Sequence, residues 1–290
     1  MRHADRVALV VAIAAAAPAG AAVAQGGAAA PALLEVLSRV GARVEQYYSR
    51  AQSIVCTERV VVQPIRSDMM PEGFGRSLEY ELRVEWEPAA DGGKPEAKVR
   101  RELRKINGRT ARPQDEPKCL DPPAISPEPM EFLLPNRQEE YTFALAGSGD
   151  DRKRPAVLLD YRGRTPGKPE VTWTDDCTRV SLPGWSKGRV WLDPATNEIL
   201  RLDEGLTRRF DYRTPYERVR LGHAEYWTLE RADSTIRYRS FTFHDPEENI
   251  LLPESIDSLT VFRGPGVGGH RTSQRFSDYR RFLTGGRIVK

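Results

Sequence analysis

The spacing of apolar and polar residues changes once along the chain, near residue 53. Before that point, apolar side chains recur at steps of three and four residues, at Leu33, Leu37, Val40 and Val44, with charged residues between them. This spacing puts the apolar side chains on one face and predicts an amphipathic helix that must lie on an apolar surface. After residue 53 the period is two, which is typical of β-strands with one buried face.

The clearest predicted strand covers residues 77–87. One side of it is apolar and the other polar, and the apolar side consists of Leu78, Tyr80, Leu82, Val84 and Trp86. Further strands are predicted at 54–65, 97–106, 139–146, 155–162, 170–181, 188–193, 198–203, 206–213, 234–244, 255–263 and 271–283. Glycine and proline, rather than helices, separate these segments, so successive strands should pair antiparallel. The predicted fold class is mainly β (α+β), with a single large antiparallel sheet and an N-terminal covering helix.

Residues 112–137 interrupt this order because they contain seven prolines. Proline lacks the backbone N–H that helices and strands use for hydrogen bonding. We therefore expect this segment to be an insertion that forms a long crossing loop or flap.

The first residues have the order of a secretory signal peptide. A charged start (residues 2–6) precedes an apolar run (7–17), and the small residues Ala22-Val23-Ala24 follow. The apolar run is too short to span a membrane, and no second long apolar segment follows. We expect cleavage near Ala24 and a product in the periplasm or secreted. In the predicted domain organisation, residues 1–24 are the signal peptide, 25–32 a disordered spacer, 33–283 a single domain and 284–290 a tail.

Charge and cysteine content narrow the class of protein further. The 44 basic and 41 acidic residues give a net charge of +3, which provides no net attraction to nucleic acid. Cys56 lies in an apolar run and is expected to be buried. Cys119 and Cys177 lie in polar, turn-like segments, and we predict a disulfide between them because an exported chain folds in an oxidising compartment. Pairing of either one with Cys56 remains open.

No motif has the spacing of a catalytic or metal site. Residues 184–188 match G-x-S-x-G, but a strand follows instead of the helix that a nucleophile elbow requires, so a tight turn is expected. His223, His244 and His270 lie on separate segments without metal-ligand spacing. Residues 264–269 are rich in glycine but lack the Lys-Ser/Thr of a phosphate-binding loop. We predict a protein that is not an enzyme and has no catalytic residue, metal or cofactor.

Three segments near the end of the chain carry a family resemblance. Residues 190–201 read VWLDPATNEILR, residues 252–255 read LPES, and residues 276–282 read FSDYRRF. Together with the export signal, the helix and the long meander of strands, they resemble the lipoprotein-localisation proteins of the LolA/LolB type. Those are periplasmic carriers with a strongly curved, half-barrel sheet. The resemblance implies a half-barrel here, although the insertion at 112–137 has no counterpart in the family pattern.

A half-barrel of this kind implies an apolar concave face that the helix does not cover completely. The row Leu78, Tyr80, Leu82, Val84 and Trp86 is the candidate ligand-binding face, suited to the acyl chain of a lipid or lipoprotein. The same row could instead be ordinary core beneath the helix. The expected function is a non-enzymatic periplasmic binding protein. The alternative is an envelope sensor or scaffold of the same fold that binds a protein partner through residues 112–137 or a sheet edge; the sequence leaves the oligomeric state open.

Overall fold

The structure, a computed structural model, describes most of the chain. The described residues are 26–50, 53–87, 96–115, 118–122, 130–174, 178–220, 224–244, 247–264, 268–283 and 287–289. The signal peptide predicted at residues 1–24 lies outside this part, as does Cys177. The predicted pairing of Cys119 with Cys177 therefore stays a prediction.

The described residues form two α-helices and fifteen strands. In chain order they are α1 (Gly26–Arg50), β1 (Ser53–Ile65), β2 (Arg76–Glu87), β3 (Glu96–Ile106), β4 (Arg109–Thr110), β5 (Tyr141–Asp151), β6 (Arg154–Gly163), β7 (Glu170–Trp173), β8 (Thr178–Ser181), β9 (Ser186–Leu192), β10 (Ile199–Leu206), β11 (Phe210–Arg213), α2 (Tyr216–Val219), β12 (Tyr226–His244), β13 (Glu247–Arg263), β14 (Gly269–Leu283) and β15 (Arg287–Val289).

Thirteen of these strands form one antiparallel sheet, which confirms the predicted fold class. The main order is β4-β3-β2-β1-β14-β13-β12-β10-β9-β6-β5, while β11 pairs with β12 and β15 with β14. Strands β7 and β8 form a separate hairpin. The sheet is not closed, because β4 and β5 end the order without pairing with each other in the described part of the chain.

Strand β1 is an interior strand of the sheet, between β2 and β14. On one side Val60 is paired with Leu78 of β2, and on the other side with Gln274 of β14. Segments more than 200 residues apart in the sequence thus share one face of the sheet. This adjacency brings together side chains that no local pattern could have related.

Helix α1 covers much of the concave face of the sheet. Its apolar stripe, Leu37, Val40, Val44 and Tyr47, is buried in one core cluster with side chains from both halves of the sheet, as the helical spacing predicted. Strands β2 and β6 both contribute to this cluster although they are seven positions apart in the sheet order. In a flat sheet they would be about 34 Å apart. The sheet therefore curves around the helix.

Some element boundaries differ from the predicted ones. Helix α1 begins at Gly26, so residues 26–32, which were expected to be a disordered spacer, are helical. Alanine has the highest helix propensity and extends a helix without an apolar stripe. The predicted strand 170–181 is divided into the hairpin β7–β8, and β15 lies within the predicted tail, residues 284–290.

The proline-rich segment is irregular over most of its described length, as predicted. Residues 111–115 and 118–122 have neither helix nor strand, and a short 3₁₀ helix covers Glu131–Leu133. The last part of the segment is not an exposed flap, however. Met130, Phe132, Leu133 and Leu134 are buried in the main core cluster with α1.

Candidate functional site

The predicted apolar row on β2 is divided between two core clusters. Leu82 and Val84 belong to the main cluster with α1. Leu78 and Tyr80 belong to a second cluster with Val60, Val62 and Ile106. These four residues of the row are 1–4% exposed, while the side chain of Trp86 lies outside the described part.

Three residues of the second cluster, Val62, Tyr80 and Ile106, form the floor of a cavity of about 2090 Å³. Strands β1–β4, the loop residues 111–115 and 118–122, the hairpin β7–β8 and His270 of β14 surround this cavity. Its apolar lining consists of Val62, Phe74, Tyr80, Leu103, Ile106, Leu120 and Val180. No residue of α1 lines it. The cavity is larger than the 300–1,000 Å³ typical of sites for drug-sized ligands.

A buried polar network lies between the cavity and the main core. Arg101 of β3 donates hydrogen bonds to Glu58 of β1, from Nε to Oε2 at 2.8 Å and from Nη2 to Oε1 at 2.5 Å. The Gln274 side chain of β14 donates a third hydrogen bond to Glu58 Oε1 at 2.8 Å. The Arg101 guanidinium also lies over the Tyr80 ring, 3.8 Å from its centroid. Each charge is thus compensated despite its burial.

The loop beside the cavity is held by arginines of the sheet. Arg101 Nη1 donates a hydrogen bond to the Pro122 carbonyl at 2.5 Å, and Arg76 Nη2 lies 3.2 Å from Asp121 Oδ2. Arg109 contacts Asp115 through two hydrogen bonds of 2.7 Å. These bonds, with the Arg112 backbone N–H, hold the pKa of the Asp115 carboxyl well below its usual range.

Two further cations line the cavity, Lys118 from the loop and Arg179 from β8. Both are exposed, and neither side chain has a carboxylate partner in the described part of the chain. The hairpin that carries Arg179 is packed through Trp173, whose ring lies 6.0 Å from that of Tyr212 on β11. The cavity therefore combines an apolar floor with a positively charged rim.

The sequence motifs that suggested chemistry prove to be structural. Gly184 of the G-x-S-x-G match has a φ of +70°, and the Trp185 N–H bonds the Leu182 carbonyl at 3.2 Å. Ser186 begins strand β9, so the tight turn predicted from the sequence is confirmed and no helix follows the serine. In the residues that the structure describes, no three His, Cys, Asp or Glu side chains are grouped as metal ligands.

Sequence patterns did not reveal Leu103 and Ile106 as cavity residues, because charged residues dominate their strand. Apolar Val99 and Leu103 alternate on the inner face with Arg101, so the period of two is broken by a buried arginine.

Cys56 is buried in the main core cluster, as predicted. His270 lines the cavity, where loss of hydration lowers its pKa. None of the described helices is both long enough and apolar enough for a membrane span.

An open, curved antiparallel sheet with a helix in its concavity and an uncovered cavity beside that helix defines this molecule. No family model matches the chain, and no curated protein matches it. Solved structures do match. A domain described as an outer membrane lipoprotein-sorting protein, from Vibrio parahaemolyticus, is 14% identical, with 85% of this chain and 94% of that chain covered and a TM-score of 0.37.

Two other solved structures match with similar identities, coverages and TM-scores. The LolA superfamily protein NE2245 from Nitrosomonas europaea is 12% identical, with 89% of this chain and 97% of that chain covered and a TM-score of 0.34. A DUF1329 family protein from Desulfovibrio piger is 12% identical, with coverages of 88% and 94% and a TM-score of 0.38. At low identity, the chain is thus similar to solved structures described as lipoprotein-sorting and LolA superfamily proteins. What the protein binds has to be inferred from its own residues.

Proposed function

We propose that this chain is an exported, non-enzymatic binding protein that holds an acyl chain in the cavity beside α1. The observation that carries the proposal is the apolar lining of that cavity, in which Leu103 is half-buried and Leu120 is 40% exposed and to which α1 contributes no residue. An acyl chain in the cavity would remove Leu103 and Leu120 from water, at about 25 cal/mol for each Å² of apolar surface buried.

The mouth of the cavity supports the same function. Phe74 is fully exposed and Leu120 is 40% exposed, and both line the cavity. Large apolar side chains that stay exposed around a concave site are typical of binding surfaces. Within the predicted row on β2, this proposal assigns ligand contact to Tyr80, which lines the cavity, rather than to Leu82 or Val84 beneath α1.

The compartment is part of the proposal. The signal-peptide pattern of residues 1–24 supports export to the periplasm or beyond, where the predicted Cys119–Cys177 disulfide could form. Thiol labelling of the cleaved protein with and without reductant tests this bond. Labelling of both cysteines without reductant would contradict it.

Binding of a fluorescent fatty-acid probe to the cleaved protein tests the function. Leu103→Glu and Leu120→Glu place a charge in the cavity, and we expect each to weaken probe binding by at least about tenfold, the cost of leaving a carboxylate against an apolar chain. Val61→Glu is the matched control, because Val61 is 46% exposed on the opposite face of β1. Its binding should equal that of the wild type.

A wild-type protein that takes up no probe and shows only its apo mass by native mass spectrometry would overturn the proposal. The envelope sensor or scaffold would then be the leading function. For that case, deletion of residues 112–137 is a poor test, because it removes Phe132 and Leu133 from the main core. Cross-linking to a partner should instead be compared before and after replacement of residues 118–122 by a glycine-serine linker.

A further inference from the structure

The charged residues around the cavity are unequal in sign. Among the described lining residues, basic side chains come from the sheet, the loop and the hairpin β7–β8, whereas the acidic ones come from the loop. The basic residues are Arg76, Arg101, Arg109, Lys118 and Arg179, and the acidic ones are Asp115 and Asp121. The whole chain is nearly neutral, so this positive charge is a local property of the cavity.

Three of the five basic residues are compensated by carboxylates. Arg76 is paired with Asp121 and Arg109 with Asp115, while Arg101 is paired with Glu58 beneath the floor. These pairs fasten the loop to the sheet and leave no net charge. Among the lining residues that the structure describes, the uncompensated positive charge therefore comes from Lys118 and Arg179.

These two side chains are available to a ligand. Lys118 is exposed on the loop. Its backbone N–H donates a hydrogen bond to Asp121 Oδ2 at 2.9 Å, and its carbonyl accepts one from the Asp121 N–H at 2.9 Å. Arg179 is exposed on β8, and neither side chain forms an ion pair in the described part of the chain. Cations at the mouth of a cleft with low-dielectric walls attract anions more strongly than the same cations on a flat surface.

From this arrangement we infer that the acyl ligand carries an anionic head group, which Lys118 and Arg179 bind while its chain lies on the apolar floor. The inference rests on the proposed function and adds the chemical class of the head group. A fatty-acid carboxylate and a lipid phosphate share the required chemistry, since both accept charge-assisted hydrogen bonds from ammonium and guanidinium groups.

The test compares ligands that share one chain and differ in the head group. Dissociation constants of oleate, oleyl alcohol and oleoyl lysophosphatidate are measured by displacement of the fluorescent probe. The wild type should bind oleate at least about tenfold more tightly than oleyl alcohol, and 0.5 M salt should reduce this preference by screening. Tighter binding of lysophosphatidate than of oleate would identify phosphate as the source of the charge, and the reverse order would identify carboxylate.

The variants Lys118→Gln and Arg179→Gln test whether these two side chains cause the preference for oleate over oleyl alcohol. Each should weaken oleate binding by about three- to tenfold and leave oleyl alcohol unchanged, because an exposed ion pair contributes a modest free energy. Lys153→Gln is the control, since Lys153 is an exposed lysine at the β5–β6 turn that does not line the cavity. Equal binding of oleate and oleyl alcohol, or an oleate preference that survives in the double variant, would overturn the inference but not the proposed function. Absence of binding by all three ligands would overturn the proposed function itself.

Discussion

Arg101 and Glu58 form an ion pair that spans three adjacent strands. Arg101 lies on β3 and Glu58 on β1, and the intervening strand β2 places the Tyr80 ring beneath the guanidinium. The side chains are 7% and 2% exposed. The pair therefore stabilises the fold only while both partners are present, since each charge alone would be buried without compensation.

We expect Arg101→Met to lower the free energy of unfolding by about 3–5 kcal/mol, because it leaves the Glu58 carboxylate buried without its partner. The double variant Glu58→Met/Arg101→Met should lose much less, since it removes both charges and keeps an apolar surface. Urea denaturation of wild type, both single variants and the double variant provides the measurement. Additive losses in the double variant would show that the two side chains do not act as a pair.

Gly188 should tolerate no side chain. A Cβ at this position of β9 would lie 2.0 Å from the Asp203 carbonyl oxygen and 2.7 Å from the Tyr161 ring. Because a backbone carbonyl in a sheet cannot move aside, Gly188→Ala should cost about 1–3 kcal/mol in a thermal melt. Gly205→Ala is the control: its Cβ would meet only the Asp233 side chain, which can move. Equal melting temperatures of the two variants would contradict this account.

Glu204 should make the fold less stable as the pH rises. Loss of hydration raises the pKa of this carboxyl above its usual 4.5, although the Tyr161 hydroxyl donates a hydrogen bond to it at 3.0 Å. Burial also raises the pKa of the Tyr161 hydroxyl, which stays protonated and remains a donor.

The folded state therefore binds more protons than the unfolded state above pH 4.5, and the contribution of Glu204 to stability falls as the pH rises from there through its folded pKa. Glu204→Gln keeps an acceptor for Tyr161 without the charge. We expect this variant to be more stable than the wild type at pH 8 and to differ little at pH 4. Urea unfolding across this pH range checks the expectation, and parallel profiles would refute it.

His270 should have the opposite effect to Glu204 on the pH dependence of stability, making the fold less stable as the pH falls. Loss of hydration lowers its pKa below 6.5, so the unfolded state binds its proton first. Its contribution to stability is complete above pH 6.5 and is lost as the pH falls from there through the folded pKa. Stability of His270→Gln should therefore decline less than that of the wild type between pH 7 and pH 5, as measured by urea unfolding. A slope identical to that of the wild type would show that His270 stays hydrated.

The sequence predicted those elements whose burial is one-sided. The stripe of α1 from Leu37 to Tyr47 and the alternation of β2 were visible because each faces the core on one side and water on the other. Strands β12 and β13, with 19 and 17 residues, were predicted too short because many of their residues are half-buried on both faces. Where both faces of a strand are half-buried, the alternation of apolar and polar residues that indicates a strand disappears.

The cavity could not be predicted, because its parts come from distant segments of the chain. The floor joins Val62 to Leu103 and Ile106, and the rim joins Lys118 to Arg179. A local signal did exist for the loop end, where the apolar run Phe132-Leu133-Leu134 in a proline-rich segment indicates burial. The ion pair of Glu58 and Arg101 had no local signal in the sequence, since a charged residue on a strand normally indicates the face that points to solvent.

The position of β1 between β2 and β14 also determines when the chain can fold. The sheet around β1 cannot be completed until residues 269–283 have been synthesised, because β14 supplies one of the two neighbours of β1. Joining segments so far apart costs loop-closure entropy before any contact offsets it, so we expect this pairing to be a late and slow step of folding. Until β14 has been made, β1 and β13 each present an edge without its partner, and unpaired strand edges make a folding intermediate prone to aggregation.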